Sequence, residues 1–306
     1  MAVLGTNYRI FAPEVWSPFV KVFFKNRLYA AKFFMDFSSD LKGGGDMVTI
    51  PHLAEGPSAV TLTTTTGALT DYVVSETRTV MTINNWKGMS KAFSDFEMAR
   101  IKDNYNLQAM YLNNDIAYVL AKDLDTALIG QSGQSSNVQL HTGTSVTQLN
   151  NTSVLEAIRI AESYSIPLED CAFWLHPNAF YGELLRKQIF YDASQFGKAV
   201  AATQAGDLLP ISFIYGRPVY VTPQVGACTG IGGDGYPSTS HRNLLIHKRA
   251  IVYALGNIDG MGVGPRLQTS SALAGGNLAT RIAGDIMYGT AAPGKSNEGV
   301  RIISDT

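Results

Sequence analysis

The sequence has little charge and almost no cysteine. Lys, Arg, Asp and Glu make up 16% of the 306 residues, against roughly 25% in an ordinary soluble domain. Hydrophobic residues make up 45%, which excludes a disordered, solvating polypeptide. The two cysteines, Cys171 and Cys228, cannot form a disulfide framework, and this is typical of proteins in a reducing interior.

The chain also lacks long apolar runs and an excess of positive charge. No stretch approaches the roughly 20 uncharged apolar residues that a membrane helix needs, and residues 1–8 do not resemble a signal peptide. The formal net charge is -1 and there is no basic tail, which argues against tight, phosphate-driven binding of nucleic acid. A free monomer usually carries more surface charge. We therefore expect copies of the same chain to cover much of this surface.

Patterns for catalysis and for cofactor or metal binding are missing. Gly230 to Gly235 has the letters of a dinucleotide fingerprint, but no strand precedes it and no helix follows it, so a loop is favoured. The five histidines show no pair at metal-ligand spacing, and we expect His176 to have a hydrogen-bonding role. Cys171 is predicted to be a small buried hydrophobe. We predict no enzyme, no cofactor and no metal; a cytosolic α/β enzyme with a site near Gly226–Gly235 is the alternative from another class.

The N-terminal segment is rich in aromatic residues, with ten of them in the first 42 positions. Ser17-Pro18 predicts the start of a short helix that ends near Tyr29. The apolar face of this helix is too wide for a solvent-exposed helix. Two interpretations stay open, because the segment could lie on the core of its own subunit or across a neighbouring subunit.

A Thr-rich excursion follows the break at Lys42-Gly43-Gly44-Gly45-Asp46. Apolar and polar residues alternate from Val73 to Ile83, which is the period of a strand. Thr61 to Gly67 is predicted to be the tip of a long two-stranded ribbon. Because an isolated ribbon is marginally stable in water, we expect it to lie on another surface.

A long helix is the strongest prediction from the sequence. Ser94-Asp95-Phe96-Glu97 is a capping box, and no Pro or Gly follows until Gly130. Apolar residues recur at helical spacing and predict a helix from Asp95 to Ile129, about 52 Å long. Such a helix would cross a globule with a diameter of about 50 Å. Two helices that break near Asn113-Asn114 are the alternative.

The second half of the chain alternates between helical and strand patterns after a linker predicted over Gly130 to Asn150. A second capping box, Ser153-Val154-Leu155-Glu156, predicts a helix to about Tyr164. The later predictions are a buried strand Cys171–His176, a helix Asn178–Lys187, one interrupted strand from Ile211 to Val221, a central strand over Leu244–Ile246 and Ala250–Leu255, a shared face of Ile282, Ile286 and Tyr288, and a last strand with Val300 and Ile302. The whole pattern indicates an α+β protein in which a middle domain is inserted into a peripheral one.

This order of elements resembles the major capsid protein of tailed double-stranded DNA bacteriophages, which has the HK97-type fold. The resemblance covers nearly the whole chain, from Pro13-Glu14-Val15-Trp16 through Gly43–Pro51 to Arg281–Asp285. It implies an N-terminal arm (1–42), an extended β-hairpin loop or E-loop (43–86), a peripheral domain (87–150 and 265–306) with a spine helix (95–129), and an axial α/β domain (151–264).

The resemblance implies a structural function. Copies would self-assemble as hexamers and pentamers into an icosahedral virion shell that encloses double-stranded DNA without sequence-specific binding, after assembly in the bacterial host cytoplasm. The implied partners are the chain itself, a scaffolding protein, a portal and a cement or decoration protein. Because the segment 43–86 contains no Lys, we expect a non-covalent shell. The chain has no charged helical leader, so we expect any scaffold to be a separate protein.

Two further alternatives concern assemblies. An encapsulin-like compartment, which encloses cargo enzymes, resembles the same fold, and a phage tail component is less consistent with a long helix. For the capsid interpretation we expect intersubunit contacts from the aromatic arm, the ribbon and the Gly-rich loop. These predicted contact residues are Trp16, Phe19, Phe23, Phe24, Thr63, Thr64, Thr65, Thr66, Gly67, Arg78, Gly230, Gly232 and Gly235.

Overall fold

The computed structural model describes residues 28–53, 76–94, 115–134, 138–140, 149–185, 212–226, 240–257, 265–274, 277–293 and 298–305. Within these ranges the chain forms a five-stranded sheet, a six-stranded sheet and a two-stranded hairpin. Its α-helices are α1 (Ala30–Phe33), α2 (Ala117–Gln134) and α3 (Asn151–Ser163). Sheets and helices are mixed along the chain, which confirms the predicted α+β class.

The five-stranded sheet is built around one long strand. Its members are β1 (Met35–Asp36), β4 (Asn85–Ser94), β10 (Val252–Leu255), β11 (Arg266–Ala274) and β12 (Asn277–Ala291). Strand β12 pairs antiparallel with β4, with β11 and with β10, and β1 adds in parallel to β10. As predicted, Ile282, Ile286 and Tyr288 lie on one buried face, since alternate residues of a strand point to the same side.

Helix α2 covers that buried face. Its residues Leu120, Leu124 and Leu128 follow one another at a spacing of four and belong to the same buried cluster as Ile282 and Ile286, because residues four apart share one helix face. The last part of the predicted spine helix is therefore confirmed. The helix continues past Gly130 to Gln134, however, so the predicted linker begins too early. Positions 95–114, with the predicted helix start and the Asn113-Asn114 break, lie outside the described residues.

The six-stranded sheet has the order β5-β13-β9-β6-β8-β7. Its members are β5 (Val138–Leu140), β6 (Cys171–Leu175), β7 (Ser212–Ile214), β8 (Arg217–Val221), β9 (Ser240–His247) and β13 (Gly299–Asp305). All of β6 is buried, as predicted, because both faces of the strand are covered. Phe173 and Leu175 pack with α3, whereas Ala172 and Trp174 pack with α1 and α2.

The base of the Thr-rich excursion is a two-stranded hairpin, as predicted. Strand β2 (Met47–Leu53) pairs antiparallel with β3 (Glu76–Thr82). The inner face of the hairpin, with Val48 and Met81, is buried against the five-stranded sheet of its own subunit. The base therefore has its own hydrophobic core, and the segment 54–75, with the predicted tip, lies outside the described residues.

Three local predictions need correction, and each has a physical cause. Helix α3 begins at Asn151 instead of at Ser153, because the side chain of Asn150 accepts hydrogen bonds from the backbone N–H and the hydroxyl of Ser153 (2.8 and 3.1 Å), as a helix N-cap does.

The stretch from Ile211 to Val221 is a hairpin instead of one strand. Tyr215 and Gly216 both have positive φ (48° and 77°), which is the geometry of a type I′ turn.

The third correction separates two strands that the sequence pattern joined. Leu244–Ile246 lies in β9 of the six-stranded sheet, whereas β10 lies in the five-stranded sheet. The chain turns between them, where the N–H of Ala250 donates to the carbonyl of His247 over 3.0 Å. The last strand, β13, pairs with β9 and with β5, so the predicted linker also contributes a strand.

The described helices are all too short or too polar to cross a membrane.

The helix predicted to start at Asn178 is confirmed, and it is a π-helix, Asn178–Leu184. Cys171 is buried as predicted, and this burial raises the pKa of its thiol to about 12, which keeps the sulfur protonated and unreactive. Across the described ranges, no three His, Cys, Asp or Glu side chains are grouped closely enough to hold a metal.

Candidate assembly surfaces

Arg78 is the one predicted contact residue that falls within the described part of the chain. It lies on β3 opposite Pro51, and its side chain is exposed. The other predicted contact residues lie outside the described residues: Trp16, Phe19, Phe23, Phe24, Thr63, Thr64, Thr65, Thr66, Gly67, Gly230, Gly232 and Gly235.

Arg78 belongs to an exposed face of the β2–β3 hairpin, which we call the hairpin face. Three cross-strand pairs form it, and these are Pro51 with Arg78, Thr49 with Val80, and Met47 with Thr82. Met47 is 58% exposed and Val80 is 45% exposed. The hairpin face therefore presents apolar groups to solvent directly opposite its buried face, and apolar patches of this kind are typical of contact surfaces.

A second exposed surface lies on the five-stranded sheet, on the side away from α2. Neighbouring strands place Gly88, Asp285 and Arg266 in one row and Ser90, Ala283 and Gln268 in the next. These residues line an open groove of about 320 Å³ with Arg281 at its border. Gly88 adds no side chain to the floor of the groove, where a Cβ would make van der Waals contacts of 3.4 Å with Asp285 and with the carbonyl of Gly284.

One carboxylate fixes the side chains at the edge of the groove. Both oxygens of Asp285 accept hydrogen bonds from Arg266, over 2.9 Å from Nε and 2.7 Å from Nη2. Its Oδ2 also accepts from the indole Nε1 of Trp86 over 3.0 Å. The hydrogen bond from Arg266, and then that from Trp86, holds the pKa of Asp285 below its usual range. The carboxylate therefore stays ionised and keeps all three side chains in place.

Trp86 was not among the predicted contact residues, although it is 67% exposed. A tryptophan at the start of a strand is usually expected to be buried, because its large apolar ring favours the interior. The alternation pattern does not distinguish the two faces of β4, as neither face is uniformly apolar. An indole that is exposed and yet held by a hydrogen bond resembles the side chains that dominate binding energy in protein interfaces.

Residues 29–34, which we call the root of the N-terminal segment, lie on the core of their own subunit. Phe33 and Phe34 contact Trp174, with ring centroids 5.5 and 5.9 Å away, and Tyr29 contacts Tyr220 at 5.1 Å. Residues 29–34 therefore lie on the core of their own subunit. The predicted helix from Ser17 to Tyr29 lies almost wholly outside the described residues.

A buried carboxylate on α2 holds this root. Oδ1 of Asp125 accepts hydrogen bonds from the N–H groups of Ala30 and Ala31, over 2.7 and 3.2 Å. Asp125 is fully buried, and its Oδ2 has no hydrogen-bond partner among the described residues. Burial raises the pKa of Asp125 to about 6, against the opposing effect of the backbone hydrogen bonds. Asp125 thus acts as an N-cap for α1 from another helix.

The whole chain superimposes on solved capsid structures. No protein-family model matches the sequence, and no curated protein is similar enough to count as a match. A chain of Mycobacterium phage Che8 superimposes with a TM-score of 0.68 at 15% identity, covering 95% of this chain and 96% of that chain. The cyanophage Pam1 capsid gives 0.67 at 12% identity over 99% and 98%. The capsid of cyanophage P-SCSP1u gives 0.65 at 14% identity over 99% and 95%.

The chain has the HK97-type capsid fold. The superpositions extend over nearly all of both chains, and they confirm the predicted fold. At 12 to 15% identity this similarity comes from the arrangement of helices and strands. It leaves the residues of the groove and the hairpin face to be interpreted from their own geometry.

Proposed function

We propose that this protein is a major capsid protein whose copies assemble as hexamers and pentamers into an icosahedral shell around phage double-stranded DNA. The observation that carries the proposal is the capsid fold, shared over at least 95% of this chain and of each compared chain. A shell protein needs symmetric contact surfaces instead of a catalytic cleft. In the role we propose, the protein is structural and has no enzymatic activity.

The exposed faces of the subunit support this proposal. β3, which carries one side of the hairpin face, leads through Ile83 and Asn84 to β4, which lines the groove. Trp86 stands at the edge of the groove with its ring in solvent. We assign both surfaces to contacts with further copies of this chain, since exposed apolar and aromatic groups of this kind are a liability in a free monomer.

The proposed organisation follows the family pattern. We assign residues 1–42 to the arm, 43–86 to the extended loop, 95–129 to the spine helix, 87–150 and 265–306 to the peripheral domain, and 151–264 to the axial domain. Strand pairing refines this assignment, as β13 lies in the sheet of the axial segment and β10 lies in the sheet of the peripheral segment. Each proposed domain therefore contributes a strand to the sheet of the other.

The proposed partners of the shell are a separate scaffolding protein, a portal and a cement protein, and we place assembly in the bacterial host cytoplasm. The net charge of -1 supports a lining that encloses DNA without holding it, since a strongly basic wall would bind the phosphates. The absence of Lys from the segment 43–86 supports a shell without covalent links from this loop.

Expression of the full chain, alone and together with its neighbouring gene products, tests the proposed function. Sedimentation velocity and negative-stain microscopy should show closed particles, and particles from an infected or induced host should contain nuclease-protected DNA. A chain that stays monomeric, or forms a small oligomer, under every co-expression condition would contradict the proposal. Particles that hold a protein cargo and no DNA would also contradict it.

Two charge-reversal variants test whether the groove takes part in assembly. Arg281→Glu changes an exposed side chain at the border of the groove, whereas Arg159→Glu makes the same change on α3, where the arginine is exposed and pairs with Glu156. We expect closed particles to be lost with Arg281→Glu and kept with Arg159→Glu. Circular dichroism should show an unchanged subunit fold in both variants.

A further inference from the structure

Two histidine rings stack against each other at one end of the six-stranded sheet. His176 follows the last residue of β6, and His241 is the second residue of β9. Their ring centroids are 3.5 Å apart and the rings are nearly parallel, at 11°. Neither ring is fully exposed to solvent, so a charge on either ring would be poorly screened.

His176 connects the sheet to the π-helix through three hydrogen bonds. Its N–H donates to Oδ1 of Asn243 over 2.9 Å, its Nδ1 accepts from the N–H of Asn178 over 3.3 Å, and its carbonyl accepts from the N–H of Phe180 over 3.0 Å. Asn243 is fixed in turn by the hydroxyl of Ser304 over 2.8 Å. Because Nδ1 accepts a hydrogen bond, the imidazole of His176 must be neutral, with its proton on Nε2.

A proton on His176 would break this arrangement in two ways. It would occupy the lone pair that Asn178 uses, and it would place a positive charge against the face of His241. Burial lowers the pKa of His176 to about 4, with a further contribution from His241, and burial also lowers the pKa of His241.

Nothing that faces the pair within the described residues offsets such a charge. Asn178 on the π-helix and Asn243 on β9 form hydrogen bonds with His176, and Ser304 on β13 lies opposite His241 in the strand register; all three side chains are neutral. Glu183, on the π-helix, is engaged by the N–H of Leu149. Arg242 neighbours His241 on β9, but adjacent residues of a strand point to opposite faces.

We propose that the His176–His241 stack is an acid-operated joint, which locks the start of the π-helix to the six-stranded sheet when both rings are neutral and releases it when they take up protons. The direction follows from linkage. A histidine whose pKa is lower in the folded state than in the open state binds fewer protons when folded, so the locked form loses stability as the pH falls below the ordinary histidine pKa. With the partial exposure of the rings taken into account, we expect local opening to increase about tenfold between pH 7 and pH 5.

Mass spectrometry can test this joint on the full chain in any state of assembly. Deuterium exchange at the imidazole C2 position gives the pKa of each histidine, and amide exchange, corrected for its intrinsic pH dependence, gives the opening of residues 178–184. The double variant His176→Asn/His241→Phe keeps a hydrogen-bond acceptor at position 176 and an aromatic ring at position 241, and neither side chain can take up a proton. His247→Asn is the matched control, since His247 lies on the same strand and its Nδ1 accepts from the N–H of Arg249.

We expect His176 to titrate well below the usual range, and residues 178–184 to open in acid in the wild type and in His247→Asn but not in the double variant. Ordinary pKa values for both rings, or equal acid opening in the double variant, would overturn the joint. If the double variant does not fold, the single variant His241→Phe tests the proposal. The pKa of His176 should rise in this variant, because the contribution of His241 is lost. An unchanged pKa of His176 in that variant would also refute the coupling between the rings.

Discussion

Trp86 and Asp285 are 199 residues apart in the sequence, yet the indole Nε1 of Trp86 donates a hydrogen bond to Oδ2 of Asp285 over 3.0 Å. Arg266 holds the same carboxylate with two further hydrogen bonds. The exposed indole is therefore ordered before any contact is made, and a partner has less side-chain entropy to overcome on binding.

Truncation of this indole should weaken assembly more than folding. Trp86→Ala removes an exposed side chain and its one hydrogen bond to Asp285, so we expect the free energy of unfolding of the subunit to fall by about 1 kcal/mol. If the indole is an interface anchor, its loss should weaken each contact by about 2 kcal/mol and raise the critical concentration for assembly at least about tenfold. Light scattering against protein concentration measures this change. Trp86→Phe, which keeps a ring without the N–H, should have an intermediate effect, and equal critical concentrations for all three proteins would exclude an anchor role.

The ion pair below the indole should contribute to subunit stability in a pH-dependent way. The lowered pKa of Asp285 means that its stabilisation is present above the usual carboxyl pKa and is lost as the pH falls through the folded pKa. We expect Asp285→Ala to lower the free energy of unfolding by about 1–3 kcal/mol at pH 7, because it removes the carboxylate that accepts two hydrogen bonds from Arg266. Urea unfolding at pH 7 and at pH 3 measures the difference. Asp285→Asn should lose less, and a loss that stays constant with pH would contradict the assigned role.

The contribution of Asp125 to the stability of the subunit should have the opposite pH dependence. Its pKa is raised to about 6 in the folded protein, so the folded state binds the proton more tightly than the unfolded state, and stability falls as the pH rises from about 4 to about 6. We expect the free energy of unfolding of the wild type to rise by about 2–3 kcal/mol between pH 7 and pH 4, relative to that of Asp125→Asn. The variant keeps an acceptor for Ala30 but cannot ionise. Parallel stability curves for the two proteins would show that Asp125 has an ordinary pKa.

Substitution of glycine by alanine should change the stability of the subunit in opposite directions at two positions. At Gly289 a Cβ would lie 2.4 Å from the carbonyl oxygen of Thr82, so Gly289→Ala should force the hairpin away from β12 and destabilise the subunit by about 1–3 kcal/mol. At Gly130, within α2, a Cβ would meet nothing within 4 Å, so Gly130→Ala should stabilise the subunit by up to about 1 kcal/mol. Thermal unfolding of the two variants gives both signs, and a neutral Gly289→Ala would show that the hairpin is not packed closely on β12.

Local sequence patterns predicted much of this fold correctly. The alternation around Met81 identified the hairpin base, the apolar run of β6 identified a strand covered on both faces, and Leu120, Leu124 and Leu128 identified the last part of the spine helix. These predictions depend on the period of a strand or a helix, which is a property of a few neighbouring residues. The order of the predicted elements was enough to indicate the capsid fold.

The sequence predictions were wrong where a local pattern was compatible with two different structures. The capping box at Ser153 had the expected letters, but Asn150 lies three residues earlier, and its side chain accepts from the N–H of Ser153 and starts the helix there. His247, Lys248 and Arg249 interrupt the apolar run between Leu244 and Leu255, but the pattern does not show that the apolar segments on either side belong to two different sheets. Pattern analysis therefore finds the elements more reliably than their boundaries.

The sequence by itself determined which segments become strands and helices, because those preferences arise from neighbouring residues. Only the tertiary structure decided that β13 pairs with β9, that Asp125 is buried under α1, and that the indole of Trp86 remains in solvent beside Asp285. Each of these features depends on which distant segments meet and which face they leave uncovered. Pairing between residues far apart in the chain is set by the packing of whole sheets, and no short stretch of sequence contains that information.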